Sequence, residues 1–152
     1  MTYKRKGELL EKTAVVLELS DQERIDFFRG RLWIGYPVAK KVLAKLERLY
    51  ELPDADRPTN LLLVGETNNG KTSIVRRFKE LHPDIDDPLS DSVKKPVVLL
   101  DAPPSGDEDR LYTHILRELC STVRLSNSKD AKLIQVERLL KSLETRVLIL
   151  DE

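Results

Sequence analysis

The 152-residue chain is the length of one ordinary domain, enough to bury a single core and too short for two, so one site is sought rather than several. Its 26 basic and 26 acidic side chains cancel, which excludes a global field marking a nucleic-acid binder; any DNA contact must come from a local patch. One cysteine, Cys120, excludes an internal disulfide and leaves a metal cluster without a thiol pair, as suits a reducing cytosol, where it reads as a small core residue.

The start, MTYKRKGELLEKTAVVLELS, is basic but has no apolar run of signal-peptide length and no small-residue cleavage site. No stretch reaches the roughly 18 consecutive apolar residues of a membrane span, so a soluble cytoplasmic protein is expected. Residues 1 to about 30 are highly charged and read as an arm, with Ser20 and Glu23 spaced as a capping box opening a helix over DQERIDFFRG. In RLWIGYPVAKKVLAKLERLYELP, the residues Val38, Val42, Leu46 and Leu49 fall on one helical face, with Pro37 in the first turn and Pro53 after the end.

At Asn60 the pattern changes: NLLLVG is a short apolar run ending at a glycine, which predicts a strand buried on both faces of a parallel sheet. A helix from about Lys71 to Leu81 follows, ended by His82 and Pro83, and then HPDIDDPLSDSVKK, expected to be a surface loop. PVVLLDAP predicts a second buried strand. After it come a turn and a helix presenting Leu111, Ile115, Leu119 and Val123 on one face, opened by Asp107 and Glu108, which complement its dipole. A further helix is expected over about 131–144, with Leu133, Val136, Leu139, Leu140 and Leu143 apolar, and RVLILDE closes the chain as a third buried strand. The alternation from Asn60 onward predicts an α/β domain with a parallel sheet flanked by helices, residues 59–152, behind a helical arm and linker, residues 1–58.

The chemistry sits in GETNNGKT, residues 65–72, which fits the phosphate-loop pattern GxxxxGK[ST] between a predicted strand and a predicted helix. In that setting backbone N–H groups of Gly65, Glu66, Thr67, Asn68, Asn69 and Gly70 converge on phosphate oxygens, and the helix N-terminus adds its positive end. Glycines at 65 and 70 keep side chains out of the way, while Asn68 and Asn69 tolerate left-handed backbone. Lys71 is placed to reach the β- and γ-phosphates as a point charge and the Thr72 hydroxyl to ligate Mg²⁺, so a nucleoside triphosphate is the expected ligand, ATP foremost. The second constellation is VLILDE, about 80 residues on, which puts Asp151 and Glu152 at the carboxyl end of a strand, where ligands bind in open α/β sheets. There Asp151 serves the Mg²⁺ shell and Glu152 polarises the attacking water.

RLWIGYPVAKKVLAKLE, NLLLVGETNNGKTSIVRRF, PVVLLDAPPSGDEDRLYTHIL and VLILDE together resemble the TniB family, ATP-binding transposition regulators of the AAA+ superfamily related to TnsC. The likeness runs from about Asp21 to Glu152, with WIGYP and the paired asparagines before GK its most specific pieces. It implies a P-loop NTPase of AAA+ type that binds and hydrolyses ATP with Mg²⁺, Lys71 and Glu152 serving catalysis and Thr72 and Asp151 the metal. It also implies a homo-oligomer assembled on DNA without sequence preference, recruiting a DDE-type transposase and communicating with a target-selection protein, with no membrane partner. AAA+ proteins continue past the acidic pair into a sensor strand, an arginine finger and a helical lid, and in their sheets a later strand separates the P-loop strand from the acidic one. The expectation is therefore an incomplete sheet in a fragment of a longer protein, binding ATP but turning it over poorly. Two other readings stay open, a non-catalytic nucleotide-binding scaffold and an AAA+ ATPase of the replication-initiator type.

Among lesser candidates, Trp33, Tyr36 and Pro37 form either part of an adenine pocket or an aromatic staple at the helix start. Arg76 and Arg77 read as a solvated helix face ahead of contacts with DNA or a neighbouring subunit, Lys94 and Lys95 with equal weight as an ordinary exposed turn, and the basic TYKRKG segment as a solvated tail ahead of DNA contacts; His82 and His114 lack companions at metal-ligand spacing.

Overall fold

The computed structural model describes residues 15–29, 33–53, 55, 57–87, 92–104, 106–119 and 128–151. The basic TYKRKG segment at residues 2–7, Cys120, Val123 and Glu152 lie outside the described residues. The chain divides into two compact units, residues 1–34 and 35–152.

The first unit contains helix α1, Asp21–Arg29. Its capping box forms as the spacing predicts: the Ser20 backbone N–H donates to Glu23 Oε2 at 2.9 Å and the Glu23 N–H to Ser20 Oγ at 3.4 Å. These bonds to the carboxylate, led by the Ser20 hydroxyl, hold the exposed Glu23 side chain below its ordinary pKa.

The second unit opens with α2, Pro37–Glu51, and α3, Lys71–Leu81. Pro37 occupies the first turn of α2, where its missing N–H leaves no intrahelical bond unmade. The buried stripe of α2 is carried by Ala39 and Leu46, with Val42 and Leu49 partly buried; Val38, expected on this face, is 61% exposed. The observed stripe starts one residue later, at spacing i, i+3, i+7, i+10, a set that lies on one face of a 3.6-residue helix as the predicted set does. α3 buries Ile74, Val75 and Phe78, and Phe78 is completely enclosed. Its C-terminal end docks on α2 through an aromatic stack: the His82 ring lies 4.0 Å from that of Tyr50 and 4.7 Å from Phe78, and His82 Nε2 meets Glu47 Oε2 at 2.9 Å.

HPDIDDPLSDSVKK, expected to be a loop, contains a small antiparallel pair, β1, Ile85–Asp87, and β2, Ser92–Lys94, in register Ile85↔Lys94. Ile85 and Val93 are its only apolar residues and both are exposed, so backbone pairing rather than burial defines the hairpin, and composition gives little sign of it. β3, Val97–Asp101, then enters the core with Val97, Val98 and Leu100 buried. α4, Glu108–Leu119, and α5, Lys129–Ser142, pack against it, with Leu116, Ile115 and Val136 meeting Val98 and Leu100. Leu111, Leu119, Leu139 and Leu140 pack at the margin, as the sequence pattern anticipates. Lys132 of α5 is buried at 5% exposure and carries its charge to Asp109, both carboxylate oxygens accepting at 2.7–2.8 Å.

β4, Val147–Asp151, runs parallel to β3 in register from Val97↔Val147 to Asp101↔Asp151. It is half-buried in alternation, with Leu148 and Leu150 outward, so only its inner face is covered. The larger departure concerns residues 60–65, expected to be a buried strand. They form no strand, and Leu62 and Val64 are 85% and 80% exposed. A strand is defined by its ladder rather than by its own apolar content, and among the described residues β4 pairs only with β3 and nothing pairs with 60–65. The fold is thus mixed, with helices, a hairpin and one parallel pair; the complete parallel sheet is not formed among the described residues.

Candidate nucleotide-binding site

The geometry of the site begins at residue 65, where the apolar run ends. Residues 67–70 turn back on themselves and feed α3 at Lys71. Two backbone positions in this turn are left-handed, Asn68 at φ 64° and Gly70 at φ 76°, while Asn69 between them is not. One of the two asparagines therefore uses the tolerance attributed to both. Gly70 is favoured by its backbone, since side chains disfavour that conformation; a Cβ there would sit 3.4 Å from the Tyr36 hydroxyl, at the edge of ordinary contact. Gly65 is different: a Cβ there would meet only Lys71 methylenes at 3.8 Å and beyond, ordinary contact.

Gly70 caps α3 without any side-chain hydrogen bond. An α-helix leaves its first N–H groups without intrahelical partners, so the turn at 70–73 presents donors and the positive end of the helix dipole together. The Lys71 ammonium folds back over the loop, donating to the carbonyl oxygens of Gly65 at 2.8 Å and Glu66 at 3.3 Å. From behind the loop, the Tyr36 hydroxyl donates to the Asn69 carbonyl at 3.0 Å.

These residues surround a cavity of about 350 Å³ lined by Thr67, Asn68, Asn69, Gly70, Lys71, Thr72, Ser73 and Asp151. Thr72 and Asp151, about 80 residues apart in sequence, thus border one space. Of the loop residues singled out in the sequence, only Gly65 and Glu66 are missing from its lining. Hard oxygen donors from Thr and Asp beside a lysine and a left-handed amide turn suit a Mg²⁺-bound phosphate chain. Asp151 also borders a second cavity of about 420 Å³, lined by Arg76, Asp101, His114, Arg117 and Glu118 among others. Asp101, at the end of β3, lies in register beside Asp151.

Three residues near the site were not assigned this placement in advance. Ser73 lines the cavity one position past the motif, and Asp101 ends the neighbouring strand in VLLDAP, read only as a buried strand. Tyr36 was weighed for the adenine or for a staple; its aromatic type gave no sign of a hydroxyl aimed at the loop backbone 33 residues away. Among the described residues no group of three or more His, Cys, Asp or Glu is placed to hold a metal ion. Among the described residues no helix is long and apolar enough to cross a membrane.

Among protein-family models, that of the TniB family, described as "Bacterial TniB protein", matches residues 24–152. No curated protein matches the chain, and no solved structure does.

Proposed function

The chain belongs to the TniB family, a family of P-loop NTPases associated with transposition, and on that footing we propose that it binds ATP with Mg²⁺ at the 65–72 loop and regulates transposition by assembling on DNA. The observation that carries the reading is the convergence of Thr67 to Ser73 with Asp151 around one cavity at the start of α3. The nest of loop amides and the helix end receive the phosphates, and Lys71 moves from the Gly65 and Glu66 carbonyls to phosphate oxygens. Thr72 and Asp151 would hold Mg²⁺, which when bound neutralises phosphate charge and orients the terminal phosphoryl group.

Glu152, following Asp151, takes the role of orienting the attacking water by resemblance to the family. In the AAA+ arrangement proposed for the complete sheet, the residue 60–65 segment becomes a strand, and a later strand lies between it and β4. ATP-dependent self-assembly on DNA, and contacts with a transposase and a target-selection protein, belong to the same proposal. Residues 1–58 would act as an arm and linker to the ATPase domain that starts at 59.

The test is a titration of the chain and of its Lys71→Ala variant with ATP and Mg²⁺. Removing the ammonium should weaken affinity by at least about tenfold, as loss of a charge-assisted hydrogen bond does. Unchanged affinity in a variant that melts like the parent would refute the assignment. Steady-state phosphate release separates an ATPase from a non-catalytic nucleotide-binding scaffold.

A further inference from the structure

Tyr36 stands immediately before Pro37 of α2, and its hydroxyl donates to the Asn69 carbonyl at 3.0 Å. Asn69 lies between the two left-handed positions of the loop, Asn68 and Gly70. Its carbonyl belongs to the Asn69–Gly70 peptide, which is planar and trans, so the Gly70 N–H points to the opposite side from that carbonyl. Tyr36 does not line the loop cavity, whereas Asn69, Gly70 and Lys71 all do. A carbonyl held toward Tyr36 therefore turns the following N–H toward the cavity. The same hydroxyl lies beside Gly70, 3.4 Å from where a Cβ would sit.

We propose that Tyr36 is a positioning residue for the phosphate loop: its hydroxyl fixes the Asn69–Gly70 peptide so that the Gly70 N–H is preorganised for a phosphate oxygen, an inference that rests on the triphosphate-binding reading above. The hydroxyl acts on the loop backbone and not on the nucleoside. Its contribution is thus indifferent to the base, which separates it from an aromatic ring packed on adenine. Water can satisfy the Asn69 carbonyl when the hydroxyl is removed, because Asn69 is exposed, so the loop loses its orientation without losing the fold.

Tyr36→Phe keeps the ring and deletes only the hydroxyl. Titrated with ATP, GTP and inorganic tripolyphosphate in the presence of Mg²⁺, it should bind each about three- to tenfold more weakly than the parent, by the same factor for all three. Its melting temperature without ligand should be unchanged, and the Gly70 amide resonance should move. Tyr36→Phe binding all three ligands as the parent does, or losing affinity for ATP alone, would overturn the proposal, the latter placing Tyr36 at the base. Lys71→Ala in the same titration keeps the two readings apart: its failure to weaken tripolyphosphate binding removes the phosphate-loop assignment itself. A weakened Lys71→Ala beside an unaffected Tyr36→Phe removes only the role given to Tyr36.

Discussion

The two glycines of the phosphate loop carry the same letter and different burdens. Gly70 has φ 76° and a Cβ there would approach the Tyr36 hydroxyl at 3.4 Å, whereas Gly65 has room for a methyl group against Lys71 methylenes. Gly70→Ala should therefore lower folding stability by about 1–2 kcal/mol, the cost of forcing an L side chain into left-handed backbone. Gly65→Ala should stay within about 0.5 kcal/mol. Denaturant melts of the two variants check this, and equal losses would show that the loop does not hold the conformation described. The motif alone cannot make the distinction, because the pattern records where side chains are unwelcome but not whether backbone, protein or ligand excludes them. Asn68 and Asn69 are a parallel case: both types tolerate φ above zero and only Asn68 uses it. The Asn69 carbonyl is held instead by the Tyr36 hydroxyl, a contact between residues 33 apart that no local pattern encodes.

At the scale of elements, what sequence made legible is what is stabilised locally. α1 begins where the Ser20 and Glu23 spacing puts it, α3 spans Lys71–Leu81 as predicted, and β3 is the buried apolar run it reads as. The α1 cap gives a pH-dependent prediction whose sign follows from linkage. Because hydrogen bonds from Ser20 lower the Glu23 pKa in the folded state, the ionised carboxylate is the form that stabilises the helix start. That contribution is fully present above the ordinary glutamate pKa and is lost as pH falls through the lowered, folded-state value. Carboxyl titration by NMR should place Glu23 below the other exposed glutamates, and Ser20→Ala should return it toward their range. No change on that substitution would mean that the cap does not persist in solution. The misread elements depend on partners instead: the β1–β2 hairpin is held by backbone pairing between exposed segments, and 60–65 needs a ladder that the described residues do not supply.

For the molecule as a whole, the consequence of that missing ladder is exposed apolar surface on the way into the site. Leu62 and Val64 stand 85% and 80% exposed, and Leu148 and Leu150 face outward from β4. Unpaired extended backbone with apolar side chains is the feature that drives strand-to-strand association. The parent chain should accordingly scatter more light as its concentration rises, and Leu62→Lys should reduce that scattering by placing a charge in the run. The same variant discriminates between the described structure and the strand expected from sequence. If residue 62 is exposed, the lysine changes stability by no more than about 0.5 kcal/mol. If 60–65 were a strand buried on both faces, removing the leucine and burying an unpaired ammonium would cost upwards of about 3 kcal/mol, a large part of a domain's stability. A marked fall in melting temperature would thus show the segment already paired in solution, with the phosphate loop hung from a complete sheet. Unchanged melting with less association would show a loop whose geometry is set from the other side, by α3, Lys71 and the Tyr36 hydroxyl.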